Sequence, residues 1–155
     1  MLLSAVCLVK LITRVNKKGS KIMGLPSNWL IATNGSKYAS EAVKHAGMLS
    51  SMLNNKPSVT ILVVADNKES EDTAKGIVEM AKFLFEENSG LETDPELAVE
   101  IGEPGKTIIE TAEKLDCDHI LIGGADFKWD INDKKPGGIS NYIIDKFNGV
   151  ITVVK

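Results

Sequence analysis

Aromatic residues are scarce: two Trp, two Tyr and four Phe make up 5% of the 155 residues. So few rings offer few platforms on which unpaired bases could stack. Basic residues are not in excess, with 18 Lys and Arg against 21 Asp and Glu and a net charge of −3. That balance, with a pI near 5.4, argues against a general nucleic-acid binder. Cysteine is nearly absent. Cys7 and Cys117 stand far apart without Cys-x-x-Cys or Cys/His spacing, so neither a disulfide framework nor a zinc site has support. Two lone cysteines fit a reducing cytoplasm. His45 and His119 have no partner motif, the phosphate-loop pattern Gly-x4-Gly-Lys-Ser/Thr is missing, and nothing assembles a nucleophile, a base and an oxyanion site. What remains is ordinary for a soluble globular protein: 43% hydrophobic and 25% charged residues, in a length that suits one domain with a substantial core.

Charge is unevenly spread. Residues 1–24 hold Lys10, Arg14, Lys17, Lys18 and Lys21 and no acid, whereas the remainder holds 13 basic and 21 acidic residues. In this leader Leu2, Leu3, Val6, Val9, Ile12 and Val15 recur at roughly helical spacing. The apolar part is too short to span a bilayer and Lys10 interrupts it. Its positive charges mostly follow the apolar run, the reverse of a signal peptide. Three readings remain: an amphipathic basic helix on a membrane or partner, a disordered leader, or translation beginning at Met23. The last two are preferred, because the domain pattern begins only at Trp29. The domain is therefore placed at residues 25–155.

From Trp29 onward, strand and helix alternate with short links. Trp29–Thr33 is an apolar run, followed by the turn signal Asn34-Gly35-Ser36, and Ser36 or Ser40 can cap the next helix. That helix would bury Ala42, Val43, Ala46, Met48, Leu49, Met52 and Leu53. Val59–Val64 is β-branched and nearly all apolar, as a central strand requires, with Asp66 at its carboxyl end. Glu69–Glu87 reads as a helix burying Ala74, Ile77, Val78, Met80, Ala81, Phe83 and Leu84. Leu97–Ile101 is a strand nearer an edge. Gly102-Glu-Pro104 breaks the chain and opens a helix lined by Ile108, Ile109, Ala112 and Leu115. His119–Ile122, a helix over Asn141–Phe147 and the apolar run Val150–Val154 complete the pattern. Such alternation implies a parallel sheet with helices on both faces. Ligands in these sheets bind beyond the strand carboxyl ends, where the strand order reverses.

The stretch from Ile122 to Ser140 links a strand to a helix. Gly137 and Gly138 at the helix start would let backbone N–H groups approach an anion, which the helix dipole favours. The alternative is a connector whose glycines only make turns. Asp126, Asp130 and Asp133, interleaved with Lys128, Lys134 and Lys135, read as a solvated loop rather than a metal site.

With these pieces in order, Asn28 to Lys155 resembles the universal stress protein family. Leu30-Ile-Ala-Thr-Asn-Gly-Ser36 is similar to its first strand ending in Asp-Gly-Ser, and Val59 to Asp66 to its second strand ending in Val-x-Asp. Val99-Glu-Ile-Gly-Glu-Pro104 is similar to its Gly-x-Pro break. Gly137-Gly-Ile-Ser140 with Val150–Val154 is similar to its closing glycine motif and final strand. The resemblance implies an α/β fold with a five-stranded parallel sheet in the order 3-2-1-4-5, Rossmann-like, with the loops at Asn34 and Gly124 facing one another.

ATP-binding members carry Gly-x-x-Gly-x9-Gly-[Ser/Thr]. Here Gly124 matches the first glycine and Gly137 the third, Phe127 replaces the second, and Gly138 replaces the hydroxyl residue. Asn34 replaces the aspartate of the first strand and is a poorer Mg²⁺ ligand. A left-handed Phe127 would cost roughly 1–2 kcal/mol, and a lost hydroxyl bond to phosphate about 1.5–3 kcal/mol. Together they weaken binding on the order of a hundredfold. The candidate ligand-binding residues are Thr33, Asn34, Val64, Gly124, Phe127, Gly137, Gly138, Ile139 and Ser140. Val64 would meet the base through its backbone. Asn34 can instead only hold a turn, Asp66 can be a solvated strand end, Ser140 can cap the last helix, and Phe127 and Trp129 can pack the loop or plug the crevice. The resemblance implies a cytoplasmic stress-response protein that binds ATP or another adenine nucleotide weakly, with or without Mg²⁺, in a regulatory role. The alternative is a nucleotide-free interaction module that forms a homodimer through the last strand.

Overall fold

A computed structural model describes the backbone of residues 10–13 and the whole of residues 25–124 and 138–155. The strands are β1 (Lys10–Thr13), β2 (Asn28–Ala32), β3 (Ser58–Ala65), β4 (Glu96–Ile101), β5 (His119–Gly123) and β6 (Val150–Val154). The α-helices are α1 (Lys37–Ser51), α2 (Glu71–Ser89), α3 (Pro104–Lys114) and α4 (Ile139–Lys146). The sheet order is β1-β6-β5-β2-β3-β4. Counted from β2, the five parallel strands stand in the expected order 3-2-1-4-5.

One strand was not expected. β1 runs antiparallel to β6, with Lys10 opposite Val153 and Thr13 opposite Val150. These residues belong to the leader, whose apolar spacing suggested a helix. An unpaired strand edge is a template for any extended segment within reach, and here four residues of the same chain take it.

Local signals set the element ends. Ser36 is the N-cap of α1, its Oγ accepting from the Ala39 amide at 3.4 Å. Gly90 ends α2 in the left-handed region, at φ 76°. Pro104 opens α3, where no amide is needed.

Strand alternation divides the core between two faces. Trp29, Ile31, Ile61, Val63 and Leu121 pack under Val43 and Ala46 of α1 and Ala74, Val78, Ala81 and Phe85 of α2. Leu30, Leu62, Ile120, Ile122, Ile151 and Val153 pack under Ile108, Ile109 and Ala112 of α3 and Ile143 and Phe147 at α4. Four expected core residues lie outside: Met48 is 49% exposed, Met52 78%, Met80 60% and Phe83 56%. The stripes that meet the sheet are Ala39–Ala42–Val43–Ala46–Ser50 and Ala74–Val78–Ala81–Phe85, and these four side chains lie off them. Leu115, just past α3, is likewise exposed.

Beneath α1 the Trp29 ring meets the His119 ring edge-on, with centroids 5.1 Å apart. The indole N–H donates to the Pro26 carbonyl at 2.9 Å. His119 Nε2 lies 2.8 Å from Thr152 Oγ1, while its Nδ1 has no partner among the described residues. Burial holds this ring neutral and lowers its pKa from 6.5 to about 4. Neutral His119 therefore supports the fold fully above pH 6.5, and the support is lost as pH falls towards 4. Over that window the loss amounts to about 3 kcal/mol, at ~1.4 kcal/mol per pH unit. Urea unfolding near pH 7.5 and near pH 4.5 should show the native chain losing at least ~2 kcal/mol more than His119→Leu. Equal losses would rule out this role for His119.

Candidate functional site

β2 stops at Ala32, and the last ladder bond runs from the Thr33 amide to the Leu62 carbonyl at 3.0 Å. Beyond it β3 continues to Ala65. In a parallel strand the N–H and C=O of one residue share a direction and alternate along the chain. Leu62 faces β2, and the Ala65 carbonyl accepts from Gly102 on the β4 side at 3.0 Å. The amide and carbonyl of Val64 therefore face the space that β2 has left.

That space is a cavity of about 420 Å³, within the usual range for a small-molecule site. Ala32, Thr33, Leu62, Val64, Asp66, Ile122 and Gly123 line it from the carboxyl ends of β2, β3 and β5. Asn34 and Ser36 reach it from the turn before α1, Ala39, Pro104, Ile139 and Ser140 from the first turns of α1, α3 and α4, and Ile108 from the second turn of α3. Three helix N-termini thus converge on an apolar floor, and each brings partial positive charge. Asp66 is the single ionisable lining residue among those described.

The turn after β2 is held by its own side chains. Thr33 Oγ1 accepts from the Gly35 amide at 3.2 Å, and Asn34 Oδ1 accepts from the Ser36 amide at 3.0 Å. Asn34 therefore makes a turn and lines the cavity at once. Among the described residues a Mg²⁺ ion would find one lining carboxylate, Asp66, and would draw its other ligands from phosphate and water.

Of the expected site residues, the cavity gathers Thr33, Asn34, Val64, Ile139 and Ser140. Asp66, read as a solvated strand end, is exposed and also lines it. Ser140 does not cap α4. Gly138 holds the N-cap position at φ 99°, and Ser140 lies within the first turn, its Oγ donating to the Gly123 carbonyl at 3.4 Å. Gly124 extends the sheet, its amide donating to the Val154 carbonyl at 2.8 Å, and it does not line the cavity. Phe127 and Gly137 lie outside the described residues, as do Trp129, the interleaved Asp and Lys residues of that loop, and Cys7.

Pro104 and Ile108 were missed, because α3 reaches the cavity only through the crossover from β4. Gly123 was overlooked beside Gly124. A Cβ there would lie 2.5 Å from Tyr38 C and 2.7 Å from Ala39 Cα, so the first turn of α1 rests directly on the end of β5. Outside the cavity, half-burial with Asp118 and Asp116 nearby pushes the Cys117 thiol up to about 11. It stays protonated at neutral pH and is a poor nucleophile.

A doubly wound parallel sheet with a cavity where its strand order reverses defines a class of small-ligand-binding α/β domains. Residues 27–155 match the model of the universal stress protein family, and the chain belongs to that family. A universal stress protein solved in complex with cAMP superposes with a TM-score of 0.71 at 17% identity, covering 85% of this chain and 98% of that one. One from Archaeoglobus fulgidus in complex with dAMP has a TM-score of 0.66 at 16% identity, covering 84% and 98%. One from Lactobacillus plantarum has a TM-score of 0.59 at 16% identity, covering 85% and 99%. These likenesses concern the fold. A search of curated protein sequences finds no match.

The contact at Gly123 yields a test. Gly123→Ala forces α1 away from β5 and should cost about 1–3 kcal/mol of stability, as overpacking does. Urea midpoints measure the loss. Unchanged stability would mean that α1 does not sit this close to β5.

Proposed function

We propose that this chain is a stress-response protein that binds an adenine nucleotide weakly in the crevice between β2, β3 and β5 and acts through its bound state. The observation that carries the proposal is the cavity itself. Its floor of Ala32, Leu62, Val64, Ile108 and Ile122 suits a flat apolar base. The inward-facing amide and carbonyl of Val64 offer one donor and one acceptor to the base edge. The N-terminus of α4, opened by Gly138, carries the partial positive charge that favours a phosphate. Two relatives of similar fold were solved with cAMP and with dAMP.

ATP is one candidate, and Mg²⁺ would enter with it. A cytoplasmic setting accords with the free Cys117 and with the finding that no helix among the described residues is long and apolar enough to cross a membrane.

The second reading is a homodimer through β6. Its residues Ile151–Val154 are buried, and the outer edge is covered by the four residues of β1. A strand that short is weakly held, so a second copy competes for the same ladder once β1 leaves.

Equilibrium dialysis against AMP, cAMP and Mg-ATP tests the first reading, with saturable binding expected between ~10 µM and ~1 mM, the weak end of small-ligand affinities. Absence of binding of all three at millimolar ligand would sink it. Analytical sedimentation tests the second: removing residues 1–24 should raise the dimer fraction above that of the full chain. A truncated chain that stays monomeric at ~100 µM contradicts it.

A further inference from the structure

We propose that Tyr142 and Gly105 are positioning residues for the crevice: the Tyr142 ring, seated on the bare backbone of Gly105, sets the distance between the α3 and α4 walls that a nucleotide needs. This rests on the adenine-nucleotide reading above and goes beyond it by naming what fixes one side of the site. α3 and α4 pack over the same face of the sheet. Both bring their N-terminal ends to the cavity, through Pro104 and Ile108 and through Ile139 and Ser140. Next to these lining residues in the chain, the two helices touch. Gly105 follows Pro104 and is buried. Ile139 and Tyr142 stand three residues apart, as neighbours on one side of α4. A Cβ on Gly105 would lie 2.9 Å from Tyr142 Cδ1, 3.2 Å from its Cγ and 3.5 Å from its Cε1.

Gly105 sits inside the first turn of α3, where helical backbone favours alanine over glycine. What its missing side chain permits is the contact. Carbon atoms in ordinary contact stand about 3.5–4.0 Å apart, so a methyl group at position 105 displaces the ring, or the helix that carries it, by roughly 0.5 Å or more. Cγ is bonded directly to the Tyr142 Cβ, so turning the ring about its own axis does not clear the clash. The helix has to give. α4 has eight residues against eleven in α3, and α3 buries Ile108, Ile109 and Ala112 where α4 buries Ile143, so α4 is the element that yields. On the β5 side, Ser140 Oγ donates to the Gly123 carbonyl at 3.4 Å. The first turn of α4 is thus held to β5 through Ser140 and to α3 through Tyr142. Ile139 and Ser140 belong to that turn and to the cavity wall, so they move with it. Binding sites tolerate displacements of their walls of only about 0.5 Å.

Isothermal titration of the full chain with AMP tests the proposal, under conditions where circular dichroism shows each variant folded. A dissociation constant measured on folded protein does not register a change in stability alone. Gly105→Ala should bind AMP at least about tenfold more weakly, as misplacing a binding group by under an ångström does. Tyr142→Ala, which removes the brace, should also bind it more weakly, whereas Tyr142→Phe, which keeps the ring, should match the native chain. In Gly105→Ala/Tyr142→Ala the new methyl group enters space that the ring has vacated. That double variant should recover at least about threefold over Gly105→Ala, the non-additivity expected of two groups in direct contact. Native affinity in the folded Gly105→Ala or Tyr142→Ala chain, or a double variant no tighter than Gly105→Ala, would overturn the positioning role while leaving nucleotide binding intact. If AMP does not bind the native chain at all, the nucleotide reading fails and this inference fails with it. Should Gly105→Ala fold poorly, the comparison of Tyr142→Ala with Tyr142→Phe decides the matter.

Discussion

The structure depends on a divergence at its centre. β2 and β5 are hydrogen-bonded neighbours, yet the chain leaves β2 into α1 over one face and leaves β5 towards α4 on the other. Right-handed crossovers impose this wherever the strand order reverses. α1 and α4, lying on opposite faces, draw apart at this point and leave a gap between their first turns. The cavity is the consequence, and its depth follows from the early end of β2 at Ala32 while β3 continues to Ala65. Gly123 then lets α1 rest against β5 with no side chain between them, so one wall is backbone.

Among the described residues, what lines this gap is partly polar without being strongly charged. The strand ends contribute apolar side chains and the backbone of Val64, whose amide and carbonyl face the gap. The helix starts contribute partial charges that arise from peptide geometry and need no titrating group. Thr33 and Asn34 use their acceptors on the turn that leads into α1, which stiffens the rim. Asn34 carries no charge, so the rim is neutral there. Asp66 remains as the one formal charge in the described wall. In the described wall the electrostatic character is therefore set as much by the backbone as by the side chains.

Much of the fold was legible because both periodicities are clean. Val59–Val64 can only be a covered strand, and Gly102-Glu-Pro104 can only break one element and start another. That Thr33, Asn34, Val64, Ile139 and Ser140 would line one cavity was legible because they sit at strand ends and helix starts, which sequence order marks. Less legible was which side of a helix faces inward when apolar residues surround it. Met48, Met52, Met80 and Phe83 obey helical spacing as well as their buried neighbours do. The sheet's geometry chose the narrower stripe of Ala, Val and Phe85 instead. Small residues let α1 and α2 approach the strands closely, and larger ones at those positions would hold them off. The role of Ser140 was ambiguous for a similar reason, since a hydroxyl at a helix start can cap or can lie one turn in. Gly138, at φ 99°, took the cap position.

By itself the sequence determined the class of fold and the order of elements from Trp29 onward, and it marked the strand ends and helix starts where a candidate site would lie. These follow from hydrophobic period and turn chemistry, which are local properties. Only the tertiary structure decided that Pro104 and Ile108 join the cavity wall, that Gly123 rather than Gly124 is the close-contact glycine, and that Lys10–Thr13 occupy the free edge of β6. Each of these is a contact between segments distant in the chain. No local pattern encodes such a contact, because its energy exists only once the partners have been brought together.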